Sequence, residues 1–298
     1  MRIDSVGIIV NVKKADAAEV AARLVGRIEA AGKTPLLPED TAALLGRPEL
    51  QRDAASVARD SDFIIALGGD GTLLHAARLI GDHERPILGI NIGGLGFLTE
   101  VPAAEAVDAL DSVLAGNFRI EERMMLDVEL LRDGHSLCVH RALNDAVITK
   151  GALARVLNLE VRVNGEYLIS YVSDGLIIAT PTGSTAYSLS AGGPIVSPGT
   201  KSIILTPICP HTLTNRPIIL PDNSAVTVEI QSESEYMMLT IDGQVGIPLG
   251  IADRLRVSRS EKRARLIICS GLSYFGVLRK KLDWGGRSRY RHDKSAPV

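Results

Sequence analysis

The chain has 298 residues, 46% of them hydrophobic and 23% charged, with a formal net charge of −2, which is enough for about two domains with ordinary cores. Near-neutral charge and an aromatic content of only 4% exclude the basic field and the exposed stacking rings on which nucleic-acid binding relies. Cys138, Cys209 and Cys269 are far apart and never form a C-x-x-C pair, so neither a disulfide framework nor a zinc site is expected, and no stretch resembles a leader or approaches the roughly 20 apolar residues of a membrane span, so a cytoplasmic protein without a membrane partner is predicted.

The first hundred residues alternate strand and helix. Val6 to Val10 reads as a strand, Ala15 to Ala31 as an alanine-rich helix closed by Gly32, and Thr34 to Leu37 as an extended segment. Asp62 to Leu67 is a short apolar run bounded by polar residues, the pattern of a parallel strand covered on both faces. A glycine-rich turn follows, then helical spacing of apolar residues from Thr72 to Ile80. Pro86 to Asn91 repeats the buried-strand pattern and leads into a second glycine loop, and a helix from about Ala103 to Leu114 closes this part. Beyond Asn117 the texture changes to alternating strands, with Asp133-Gly134, Asn164-Gly165 and Asp242-Gly243 marking two-residue hairpins. Leu159 to Val163, Glu166 to Ser170 and Ala225 to Ile230 are the clearest of these strands.

This pattern predicts an α/β N-terminal domain with a Rossmann-like parallel sheet over residues 1–117, and an all-β, sandwich-like domain over 118–274. The basic tail, 275–298, holds the lone Trp284, which either frays into solvent or anchors the segment on another surface.

The turn Gly68-Gly69-Asp70-Gly71-Thr72 has the layout of a phosphate site. Glycines let the backbone approach a ligand, and the N–H groups of a helix start favour anions. A carboxylate among those amides repels phosphate, so Asp70 needs a separate role, either holding a metal ion or accepting a hydroxyl proton. No G-x-x-x-x-G-K-[ST] sequence occurs, and Leu74 stands where the dinucleotide fingerprint needs its third glycine. The second loop, Asn91-x-Gly93-x-Leu95-Gly96-Phe97, falls at the carboxyl end of a neighbouring strand, so both loops can face one pocket.

Other candidates lie further along. Asp174 precedes a buried strand that runs into the hydroxyl-rich segment Thr180 to Ser190, which offers many donors and little charge, as a nucleotide needs. Asn144-Asp145 supplies a carboxamide and a carboxylate fit to grip a ribose diol. His75 stands one turn into the helix after the first glycine loop, Arg155 offers a cation, and Gln244 follows the Asp242-Gly243 turn. There is no G-x-S-x-G elbow, so hydrolase chemistry is not indicated.

Together the Gly68 to Thr72 turn, the Asn91 to Leu98 loop, Asn144-Asp145 and the run from Asp174 to Pro194 resemble the NAD kinase family, in order and spacing, over nearly the whole chain. The glycine-aspartate turn alone is shared with diacylglycerol and sphingosine kinases and with 6-phosphofructokinase; the block from Thr180 to Pro194 is specific. The resemblance implies transfer of the γ-phosphoryl of ATP to the 2′-hydroxyl of the adenosine ribose of NAD, with Asp70 as proton acceptor and a divalent cation, Mg²⁺, as helper. It implies that Gly68, Gly69, Gly71, Thr72, Asn91, Gly93, Gly96 and Phe97 line the phosphate cleft. NAD would be held by Asp70, Gly71, His75, Asn144, Asp145, Arg155, Asp174, Thr185, Ala186, Tyr187, Ser188, Leu189, Ser190 and Gln244. Val172 stands where some relatives carry a polar or basic side chain, so only its backbone is expected to contribute. Homodimers or homotetramers are implied, with the C-terminal segment returning to the first domain. A kinase for a lipid or sugar phosphate and a non-catalytic dinucleotide sensor are the alternatives; the hydroxyl-rich segment Thr180 to Ser190 and Asp70 favour the nucleotide kinase.

Overall fold

The computed structural model describes residues 2–151, 156–212, 214–232, 237–269, 271 and 273–284. The N-terminal half runs β1 (Ser5–Val10), α1 (Ala17–Ala30), β2 (Thr34–Leu36), α2 (Glu39–Leu45), α3 (Ala54–Asp60), β3 (Phe63–Gly68), α4 (Asp70–Ile80), β4 (Ile87–Asn91), β5 (Val101–Pro102) and α5 (Ala106–Leu114). Strands β2, β1, β3, β4 and β5 pair in parallel in that order. β3 and β4 are buried at every position, as their unbroken apolar sequences require, because helices cover both faces of the sheet. α1 and α5 pack on one face, against Ile8, Leu67 and Ile90, while α4 packs on the other through Leu73 and Leu74 against Ile64 and Ala66.

The remainder comprises β6 (Arg119–Arg132), β7 (His135–Ala142), β8 (Asp145–Lys150), β9 (Leu157–Val163), β10 (Glu166–Ser173), β11 (Gly175–Ala179), α6 (Tyr187–Ser190), β12 (Ser202–Ile208), β13 (Ile218–Pro221), β14 (Val226–Ile230), β15 (Met237–Ile241), β16 (Val245–Leu249), β17 (Arg254–Ile268) and α7 (Tyr274–Leu282). One sheet has the order β13-β12-β11-β8-β15-β16; the other includes β10, β9, β14 and β17 with β6 and β7 attached. Residues of both, such as Leu126, Leu159 and Val257 from one and Ile148, Ile178 and Leu239 from the other, interdigitate in a single apolar layer. That is a β-sandwich, joined to an α/β layer.

Two features depart from the expected elements. Asp70 is itself the first helical residue rather than part of the turn before it, and α2 and α3 occupy a stretch with no clear period in its residues. The sheets of the two halves are also continuous: the far end of β17 pairs in parallel with β4, Leu266 opposite Ile87, so the last long strand completes the first sheet. The Asp-Gly and Asn-Gly pairs adopt the positive φ that such turns demand, at 52° and 79° for Asp133 and Gly134 and 53° and 85° for Asn164 and Gly165. The third is wider than expected, because Ile241 pairs with Val245 and leaves Gln244 inside the turn.

α7 returns toward the first half, with Lys281 Nζ 5.5 Å from the centre of the Phe97 ring. Trp284, just beyond it, is exposed, and 285–298 lie outside the described residues.

Candidate functional site

The parallel register sets Gly68 opposite Asn91, so the two glycine loops leave the sheet side by side. Gly68 is obligatory for packing: a Cβ there would lie 2.3 Å from Thr72 Oγ1 and 2.7 Å from Asn11 Cβ. Gly69 faces open space and Gly71 meets only Gln244, which is what a ligand-facing turn requires. Asn91 donates from its amide to the Gly94 carbonyl and so closes the second loop on itself, while Gly93 turns with φ of 116°.

Asp70 does something the sequence did not suggest. Its carboxylate accepts the backbone N–H groups of Phe97 at 2.8 Å, Leu98 at 3.0 Å and Thr99 at 3.0 Å, and the Thr99 hydroxyl at 3.0 Å. It therefore ties the second glycine loop to the first. Gly96 makes this possible, since a Cβ at that position would sit 2.1 Å from Asp70 Oδ1. Three of the four donors converge on Oδ1 and one on Oδ2.

The opposite wall comes from the sandwich. β8 pairs with β11 and β15 so that Asp145 lies opposite Ala179 and Ala146 opposite Ile241, which gathers Asn144-Asp145, the Thr180 turn and Asp242 at one sheet end. Asp242, which the sequence marked only as a turn residue, accepts the backbone N–H groups of Leu143 at 2.9 Å, Asn144 at 2.7 Å and Asp145 at 3.1 Å. Thr180 donates its N–H to the Asn144 carbonyl at 2.8 Å and its hydroxyl to the Leu143 carbonyl at 2.6 Å.

Much of the hydroxyl-rich segment is spent on itself. Ser184 donates to the Pro181 carbonyl at 2.6 Å, and Ser188, fully buried, pairs with Thr206 Oγ1 at 2.9 Å. The structure thus places Ser188 behind the surface of the segment, while Tyr187 and Ser190 are exposed and Thr185, Ala186 and Leu189 half-buried. Asp174 forms an ion pair with Lys150 at 2.9 Å, a partner that its sequence neighbours do not reveal. Val172 is exposed and its carbonyl accepts the His211 N–H at 2.9 Å, so even its backbone oxygen has a partner within the chain. Arg155 lies outside the described residues.

The walls meet at the start of α4, where Gln244 Nε2 donates to the Gly71 carbonyl at 2.6 Å. Beside this junction a cavity of about 260 Å³ is lined by Asn11, Lys14, Gly69, Gly71, Thr72 and His75. A larger one, about 790 Å³, opens beyond His75 between Pro38, Ala43, Gln51 and Leu79. Sequence reasoning misses Asn11, Lys14, Thr99 and Asp242; of these only Asp242, in a DGQ turn next to a predicted ligand, carries a readable signal.

Burial and the neighbouring Asp242 push the Asp145 carboxyl up to about 7. Burial also raises Asp242, although its three amide donors and Arg78 pull the other way. The amide donors favour the Asp242 carboxylate, and the two neighbouring acids titrate as a coupled pair. Because the folded value of Asp145 lies above its unfolded value near 4, the folded state binds more protons between the two, and stability falls as pH rises through that window. Asp145→Asn removes the penalty. It is expected to raise unfolding free energy by roughly 2–4 kcal/mol at pH 8 and clearly less at pH 5. Urea denaturation at both pH values checks this; an equal gain at both would show that charge is not the cause.

Comparison with known proteins gives a consistent picture. The family description "ATP-NAD kinase N-terminal domain" matches residues 6–118 and "ATP-NAD kinase C-terminal domain" matches 143–269. A protein named NAD kinase from Geobacter sulfurreducens is 51% identical over 270 residues, covering 90% of this chain and 94% of the relative. Another of that name from Moorella thermoacetica is 45% identical over 98% of this chain and 94% of its own length. Among solved structures, the yeast NADH kinase complexed with NADH superposes with a TM-score of 0.87 at 27% identity, covering 97% of this chain and 90% of that one. An Archaeoglobus fulgidus NAD kinase in complex with ATP shares the fold, with a TM-score of 0.72 at 23% identity over 94% of this chain and 98% of that one.

Proposed function

We propose that this chain, which belongs to the ATP-NAD kinase family and is a kinase, transfers the γ-phosphoryl group of ATP to the 2′-hydroxyl of the adenosine ribose of NAD, giving NADP. The observation that carries the reading is the meeting of the two walls: the Asp70 turn and its tethered glycine loop on one side, and Asn144, Asp145 and the Thr180 segment on the other, joined through Gln244 and Gly71. Phosphoryl transfer asks mainly for alignment and for neutralisation of charge on the migrating group, which backbone amides of the glycine turns and Lys14 are placed to give.

In this reading Asp70 receives the proton of the ribose hydroxyl. Support comes from its place at the junction of the walls and from Oδ2, which among the described residues takes one hydrogen bond and keeps a lone pair for a further partner. Asn144, Asp145, Asp174 and the exposed or half-buried residues Thr185, Ala186, Tyr187 and Ser190 hold the dinucleotide, and the cavity beside Gly71 receives donor phosphates.

Mg²⁺ fits as a companion of the nucleotide. Among the described residues there is no cluster of three or more His, Cys, Asp or Glu side chains, and a hard cation carried by phosphate oxygens needs only one or two protein carboxylates. No protein carboxylate is assigned to it, since Asp70 serves as the base in this reading; when bound, the cation would neutralise charge on the transferring phosphate. The protein acts in the cytoplasm as a homodimer or homotetramer, and no helix among the described residues is long and apolar enough to cross a membrane.

An acceptor panel tests this. Purified protein with Mg-ATP should convert NAD to NADP, read with an NADP-specific dehydrogenase, and should leave diacylglycerol and fructose 6-phosphate unphosphorylated. Binding of NAD without turnover would instead make it a sensor.

A further inference from the structure

His75 and Gln244 belong to different halves of the chain, and Arg78 joins them. Its guanidinium donates to Gln244 Oε1 at 2.8 Å and lies 2.9 Å from His75 Nδ1. A guanidinium has only N–H groups to offer, so Nδ1 must accept and the neutral imidazole carries its proton on Nε2. The same logic orients the amide of Gln244: its oxygen faces Arg78, which leaves Nε2 to donate to the Gly71 carbonyl. The opposite orientation would press an NH₂ against a guanidinium and an oxygen against a carbonyl. Gly71, His75 and Arg78 are spaced four and three residues apart, so one face of α4 carries the whole arrangement.

Among the described residues each hydrogen-bond partner of Arg78 is uncharged, and its positive charge is felt by the half-buried carboxylate of Asp242 and by His75. A cavity of about 200 Å³, lined by Arg78, Leu143 and Asp242 among others, lies next to the junction, so these contacts rather than close packing set how α4 meets the 242–244 turn. Burial and then the Arg78 charge hold His75 below its ordinary pKa, with Asp40 on α2 opposing.

We propose that Arg78 is an interdomain positioning residue, which latches the 242–244 turn onto the first turn of α4 and fixes His75 as an Nε2–H donor at the cleft. Through Asp242, that turn holds the amides of Leu143, Asn144 and Asp145, so the latch sets the register between the ribose-binding wall and Asp70. The consequence for turnover rests on the NAD kinase reading; the latch itself does not. Asn144, Asp145 and the Thr185 to Ser190 segment keep their places within the sandwich when Arg78 is lost, whereas their alignment with Asp70 does not hold, and a misplacement of about 1 Å costs as much as 10²-fold in rate.

The experiment uses the full chain labelled with ¹⁵N-histidine, whose six histidines give a tractable spectrum, with His75→Gln for assignment. Wild type should show His75 as the Nε2–H tautomer; Arg78→Met should show mixed tautomers and a raised His75 pKa. In NADP formation, Arg78→Met should lower kcat about 10- to 100-fold with KM for NAD changed less than about threefold, and Arg78→Lys, which keeps one donor, should recover part of the loss. Combining Arg78→Met with Gln244→Leu should cost no more than the worse single change, because both cut one latch. An unaltered His75 tautomer in Arg78→Met, a loss confined to KM, or additive single effects would each overturn the proposal. If wild type makes no NADP, the functional reading fails while the tautomer measurement still decides the latch.

Discussion

Asp70→Asn is expected to lower the turnover number for NADP formation about 10²–10⁴-fold, because a positioned general base contributes that much, while NAD affinity changes less than about threefold, because Asn144, Asp145 and the Thr185 to Ser190 segment are proposed to carry most of the grip on the dinucleotide. The substitution has a second effect that must be separated from the first. The carboxylate accepts four hydrogen bonds from Phe97, Leu98 and Thr99, and a carboxamide offers one oxygen. With that oxygen in the place of Oδ1, its NH₂ group faces the Phe97 N–H, donor against donor, and the second glycine loop loosens at that point. Thr99→Val isolates this contribution: it deletes the hydroxyl that donates to Oδ1 and leaves the carboxylate able to take a proton. A loss below about tenfold is expected for Thr99→Val, since one of several hydrogen bonds to a charged group is removed. Steady-state kinetics with NAD titrated by calorimetry checks both. Equal rates in wild type and Asp70→Asn would remove the base, and a Thr99→Val loss as large as that of Asp70→Asn would leave Asp70 the holding of the loop alone.

Gly183→Ala is expected to have the largest effect on the wall proposed to bind ribose. A Cβ there would stand 2.1 Å from the Asn144 carbonyl oxygen, 2.5 Å from its carbon and 2.8 Å from Asn144 Cα. Neither backbone can retreat cheaply. The Asn144 carbonyl accepts the Thr180 N–H, the Gly183 N–H donates to Thr180 Oγ1 at 3.0 Å, and the amides flanking Asn144 are pinned to Asp242. Forcing the methyl in breaks at least one of these buried bonds and overpacks the turn, so a cost of about 3 kcal/mol or more is expected. KM for NAD should rise at least tenfold as the Thr185 to Ser190 segment shifts away from Asn144. Gly199→Ala is the control, because a Cβ at Gly199 meets nothing within 4 Å. Urea midpoints and NAD titration of the two variants decide the matter: a destabilised Gly183→Ala protein with unchanged NAD affinity would show that this turn is scaffold and does not touch the dinucleotide.

Much of the architecture is readable from local chemistry. β3 and β4 stand out because strands covered on both faces must be apolar at every position, and the hairpins at Asp133-Gly134 and Asn164-Gly165 because positive φ selects those residues. α2 and α3 are not legible: each spans seven residues, too short for a helical period to emerge from composition. Val172 and Ser188 escape placement too, since nothing local tells a buried hydroxyl from a ligand-facing one or shows that the carbonyl of Val172 already has His211 as partner.

The sequence by itself determined the two-layer α/β and β-sandwich plan and the glycine turns, because backbone conformation and burial pattern depend on neighbours within a few residues. Only the tertiary structure decided what the carboxylates do. Asp70 binds a loop 27 to 29 residues away, Asp242 binds amides 97 to 99 residues away, and Gln244 reaches Gly71 across 173 residues. An acid's role is set by the donors and charges within a few ångströms of it, and those neighbours are chosen by the packing of distant segments, which no local pattern records.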